Sequence, residues 1–142
     1  MRALLDVNVL IALLDADHTL HALATRWLAA QAHDGWASCP ITQNGCVRIL
    51  SHPGYPNPLS VAAVTERLRE ACATAIHEFW PDDVSLLDAR VADPARIHGP
   101  RQLTDVYLLA LAVRHQGRFA TFDTAVPRGA VNGAANEHLL VL

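Results

Sequence analysis

The sequence predicts an α/β sandwich, a central and mostly parallel sheet flanked by helices. Three observations carry that expectation. Short apolar segments bounded by turn residues alternate with longer segments of helical periodicity. The length, 142 residues, suits one compact domain spanning residues 1–142. Hydrophobic residues make up 51% of the chain, enough for a sizeable core and too many for a disordered one.

The first strand is Ala3–Leu5, apolar and ending at Asp6. Asp6 and Asn8 are the only polar residues inside the run ALLDVNVLIALL, and Asp6 is also a possible N-cap for a segment starting at Val7. Residues 21–32 place Leu23, Trp27 and Leu28 at helical spacing. The second strand lies in GWASCP and is closed by Pro40, and ITQNGCVRIL follows as a helix. Gly45 weakens that helix by about 1 kcal/mol relative to alanine. SHPGYPNPL, with three prolines and a glycine, is a loop. Ser60 caps a helix whose apolar face is Val61, Val64, Leu68 and Cys72. HEFW and VSLL flank Pro81, and one of them is expected to be a strand. After the irregular PARIHGPRQ, Thr104 is the expected N-cap of the most apolar helix, which Gly117 should stop. RFATFD is a strand ending in Asp123, and HLLVL closes the chain as another.

Composition excludes several classes of function. The net charge is −3, so the protein is no polycation, and all 11 basic residues are arginine. Arginine suits phosphate contacts, but a GC-rich genome explains the same bias, so nucleic acid is neither required nor excluded. No apolar run reaches the roughly 20 residues of a membrane span, and the start of the chain makes a poor signal peptide. A cytoplasmic protein is expected. Cys39, Cys46 and Cys72 are odd in number and form no C-x-x-C pair, which indicates neither a disulfide framework nor a zinc site. His18 and His21 lack a third ligand, and Trp27, Trp36 and Trp80 are expected in the core or at a dimer contact rather than against bases.

A parallel sheet gives the acidic residues a shared address, because its strands end, and the following helices begin, at one edge. Asp6 and Asp123 end strands, while Asp105 and Gln43 sit in the first turns of helices that follow strands or lead into them. All four should meet at the carboxyl edge, where open α/β sheets bind ligands. Each acid alone has a structural explanation: a helix N-terminus for Asp105, an Asx-turn for Asp123, an N-cap for Asp6. Together, three ionised carboxylates would repel one another. A Mg²⁺ ion resolves that conflict with oxygen ligands and can promote phosphodiester hydrolysis.

LLDVNVLIALL, PITQNGCVRIL, LTDVYLLALAV and FATFD, in this order, resemble the PIN-domain ribonucleases, and specifically the VapC toxins of type II toxin–antitoxin systems. The resemblance implies a PIN-like three-layer sandwich and an endoribonuclease that binds Mg²⁺ or Mn²⁺. Its substrate would be structured RNA such as tRNA or rRNA, and a VapB-like antitoxin would hold it inactive by seating a C-terminal segment against the apolar helices. A homodimer is also implied. Asp6 and Asp105 match the family's two core metal-binding aspartates, and Asp123 the later acid of the cluster. Asn8 and Thr121 fall where the family has polar residues that support the site. The family usually has a glutamate where this chain has Gln43, a neutral residue that can still orient the metal or its water. Arg48, further along the same helix, is a candidate phosphate contact. Two other readings stand beside this one. One is a PIN-like module that binds RNA or antitoxin but is catalytically weakened by Gln43; the other is a haloacid-dehalogenase-like phosphatase with Asp6 as nucleophile.

Overall fold

Five short strands form one sheet in a computed structural model that describes all of residues 1–142. They are β1 (Ala3–Leu5), β2 (Trp36–Ser38), β3 (His77–Phe79), β4 (Arg118–Thr121) and β5 (Leu139–Val141). Every pairing is parallel, in the order β3-β2-β1-β4-β5. The helices are α1 (Val7–Leu14), α2 (His21–Gln31), α3 (Pro40–Leu50), α4 (Val61–Cys72) and α5 (Leu103–Arg114).

The alternation of β1 divides the core in two. Ala3 and Leu5 face one layer, with Val9 and Leu10 of α1, Cys46 of α3, and Val64 and Leu68 of α4. Leu4 faces the other, with Phe119, Trp80 and the α5 residues Val106, Leu108 and Leu109. Helix α5 is apolar on nearly all sides because it is covered twice. The sheet lies beneath it, and Val84, Leu86, Val91 and Ile97 of an irregular segment pack against the same cluster. VSLL is part of that cover, so HEFW alone supplies the strand.

The segment after Asp6, left open by the sequence, is defined by the structure, and two features of α5 differ from expectation. The run after Asp6 is a helix, because Asp6 caps it, its Oδ1 accepting from the Val7 N–H at 2.7 Å. A short apolar run has no periodicity to reveal this in advance. Helix α5 starts at Leu103 behind Gln102, not behind Thr104, since the 3₁₀ turn Pro100–Gln102 runs straight into it. Its left-handed terminal residue is Gln116 (φ 55°) rather than Gly117. Gly117 is needed for a different reason: a Cβ there would lie 2.6 Å from the Arg2 carbonyl oxygen, where the chain enters β4.

Gly45 likewise serves packing. A Cβ at that position would meet Val7 Cγ2 at 2.7 Å, so the glycine lets α3 lie close against α1. Gly45→Ala should gain about 1 kcal/mol of helix propensity and lose about 1–3 kcal/mol to overpacking against a stiff β-branched side chain. A lower melting temperature is expected, partly restored by Val7→Ala in the same chain. A rise in melting temperature for the single variant would contradict the contact.

Charges at the amino edge of the sheet are compensated. Asp34 meets the Met1 ammonium at 3.1 Å and Arg118 at 3.7 Å, and Arg2 pairs with Glu78 at 3.0 Å. The carboxyl edge is built differently.

Candidate active site at the carboxyl edge

From β1 the chain builds outward through β2 and β3, then crosses to build β4 and β5 on the other side. The direction reverses between β1 and β4, and in open parallel sheets the crevice at such a reversal, beyond the carboxyl ends of the strands, takes the ligand. Asp6 directly follows β1, Asp123 lies two residues beyond β4, and Asp105 is in the first turn of α5.

Asp6 is only 7% exposed and is held at both oxygens. Oδ1 accepts from Val7 N–H, and Oδ2 accepts from the Thr121 hydroxyl at 2.6 Å. Thr121 is fully buried, and its Oγ1 accepts in turn from Asp123 N–H at 3.0 Å and Asn8 Nδ2 at 3.4 Å. One donor and two acceptors use the hydroxyl completely. Asn8 Oδ1 accepts from Phe122 N–H at 3.4 Å, which ties α1 to the end of β4. Asp123 Oδ1 accepts from Ala125 N–H at 2.8 Å in an Asx-turn. The structural explanations for the acids therefore hold alongside their convergence.

Asp105 lies close enough to Asp6 and Asp123 to feel both carboxylates. Burial above all, then the neighbouring Asp123 carboxyl and the charge of Asp6, push the Asp105 carboxyl up to about 7. Burial is also the main force raising Asp6, with the Asp123 charge adding to it, against the Thr121 and Val7 hydrogen bonds that lower it. No arginine, histidine or ammonium comes within 4.0 Å of any of the three acids. The carboxylates do not form a finished cage of three ligands. Oxygen-only donors with no counter-charge fit a hard divalent cation.

Gln43 stands on the same edge but belongs to another network. Its Nε2 donates to Ser38 Oγ at 2.9 Å, and Ser38 Oγ is 2.8 Å from His77 Nε2. Neither Ser38 nor His77 was marked by sequence; the only signal was that Ser38 ends a strand. Arg48 is exposed on α3, in a groove beside α4, and forms no ion pair. His18 and His21 serve the backbone around α2: His18 Nδ1 accepts from Leu20 N–H, and His21 Nδ1 lies 2.7 Å from the Ala12 carbonyl oxygen. Trp36 and Trp80 are core residues at 4% and 1% exposure.

Residues 3–132 match the family model for the PIN domain. The chain belongs to the PIN-domain family. Along all 142 residues it is 56% identical to ribonuclease VapC44 of Mycobacterium tuberculosis, whose full length it covers. It is 42% identical over 134 residues to ribonuclease VapC39 of the same species, covering 94% of this chain and 96% of that one. Ribonuclease VapC29, also from that species, is 43% identical over 126 residues, 89% of each chain. This PIN domain thus falls among the VapC ribonucleases, and neither the phosphatase reading nor that of a catalytically weakened module is favoured. None of its helices is long and apolar enough to cross a membrane.

Proposed function

We propose that this PIN domain is a divalent-metal-dependent endoribonuclease, the toxin of a type II toxin–antitoxin pair. It cuts structured RNA such as tRNA or rRNA, is restrained by a VapB-type antitoxin, and works as a homodimer in the cytoplasm. The observation that carries the reading is the set of three uncompensated carboxylates at the reversal point of the sheet, in a chain whose full-length relatives are named ribonucleases.

Asp6, Asp105 and Asp123 would hold the ion, Mg²⁺ or Mn²⁺. When bound, it supplies a more acidic water and neutralises charge building up on the phosphate. Thr121 fixes Asp6 so that its oxygens need no reorientation. Asp105, whose carboxyl is raised to about 7, must release its proton before it can act as a ligand. Gln43, tethered to Ser38 through its amide nitrogen, keeps its carbonyl oxygen free to accept from a water.

The purified chain, free of antitoxin, should cut RNA with Mg²⁺ or Mn²⁺ and stop when EDTA is added. RNA left intact with either ion would refute the reading. Binding also releases protons, so Mn²⁺ should raise the melting temperature more at about pH 8 than at about pH 5.5, either side of the Asp105 value of about 7. An equal shift at both would mean that the ion binds elsewhere.

A further inference from the structure

A groove of about 800 Å³ runs between α3 and α4, lined by Gln43 but by none of the three carboxylates. None of its 12 lining residues is acidic, in a chain with 14 acids and 11 arginines. Arg48 comes from α3, Arg69 from α4, and His52 from the loop after α3. Arg48 has no ion-pair partner. Arg69 touches Glu66 on the exposed side of α4, a solvent-screened pair that contributes little and is readily exchanged. His52 Nδ1 accepts from Gly54 N–H, which leaves Nε2–H as the donor of the neutral ring.

The apolar part of the groove is also displayed. Val61, which the sequence placed on the buried face of its helix, is 60% exposed and lines this groove. At one end stands Gln43, hydrogen-bonded to Ser38 at the last position of β2. Strand β2 neighbours β1, about 4.8 Å away, and the residue after β1 is Asp6. The groove therefore opens onto the edge that carries the acids.

We propose that this groove is the track for the RNA strand. Arg48 and Arg69 hold the sugar–phosphate backbone of one unpaired strand and lead it past Gln43 to Asp6, with Val61 offered to the bases. The inference rests on the ribonuclease reading. Cationic side chains along a groove with apolar surface for bases are what a single strand requires, and unpaired loops are where proteins meet accessible RNA bases. An acidic protein segment would satisfy the arginines too, but continuity with the carboxylate edge favours the strand that must reach it.

The test is binding of a short, unstructured, fluorescent RNA in EDTA, where no cutting occurs. Arg48→Ala/Arg69→Ala should weaken binding by about tenfold or more. It should also reduce the slope of log K against log salt by about 1.4, or about 0.7 for each phosphate no longer neutralised. Arg90→Ala/Arg114→Ala, away from the groove, should leave both unchanged. Both groove arginines are exposed, so melting temperatures should match the parent. The proposal is overturned if the groove variant binds as tightly as the parent, if the parent binds no RNA, or if the substitutions abolish binding of polyglutamate but not of RNA. Binding through these arginines with no cutting under Mn²⁺ would keep the track and sink the nuclease reading. Cutting with unchanged kcat/KM in the groove variant would do the reverse.

Discussion

Asp105→Asn is expected to lower RNA cleavage by at least about 100-fold, since loss even of groups that merely orient metal ligands costs about 10–100-fold. The same substitution should make the metal-free protein more stable at about pH 8. Folded Asp105 keeps its proton up to about 7, whereas the unfolded chain releases it near the ordinary 3.8. Between those values the native state holds the extra proton, so stability falls as pH rises through that window. Asparagine has no proton to lose, and the variant escapes the penalty. Its advantage in melting temperature should be absent below about pH 4, grow through the window, and level off above about 7. Asp105 is half-buried, so solvent tempers the gain to a few degrees. Thermal melts of both proteins across pH, beside a cleavage assay, check this. A variant that loses activity and melts lower at every pH would make Asp105 a structural residue.

Thr121→Val is expected to cost about 10–100-fold in cleavage without touching a proposed ligand. The substitution conserves shape but removes the donor to Asp6 Oδ2 and the acceptor for Asp123 N–H. It leaves a carboxylate at 7% exposure with one oxygen unpartnered, costing about 1–3 kcal/mol. Losing a bond that favours the charged form also lifts Asp6 further above its ordinary range. The pH at which cleavage switches on should therefore move upward, which a purely packing defect would not cause. Thr121→Ser restores the hydroxyl and should recover most of the activity; equal loss in both variants would remove the hydroxyl from the account.

Much of this arrangement was legible in advance. Asp6, Asp105 and Asp123 could be gathered at one edge because strand ends and helix starts coincide there in any parallel sheet. Asn8 and Thr121 came from the family resemblance alone, and the structure shows their hydrogen bonds. What could not be read was strand order. Nothing local in the sequence says that β4 lies beside β1, and that neighbourhood makes the reversal point and brings Thr121 to Asp6. The fate of Gln43 was hidden for the same reason, because its partner Ser38 is chosen by helix packing. Val61 misled because an apolar residue at helical spacing looks alike whether it faces the core or a groove. Gly45, read as a weak point of its helix, is the place where α3 meets α1.

The bond from Thr121 to Asp6 joins residues 115 positions apart. On the ribosome the first strand emerges early and waits for most of the chain before its neighbour β4 exists. A product truncated before β4 carries Asp6 with only its local bond to Val7, and lacks both Thr121 and Asp123. The crevice is therefore a product of chain order: it exists only once β4 has been made and laid beside β1.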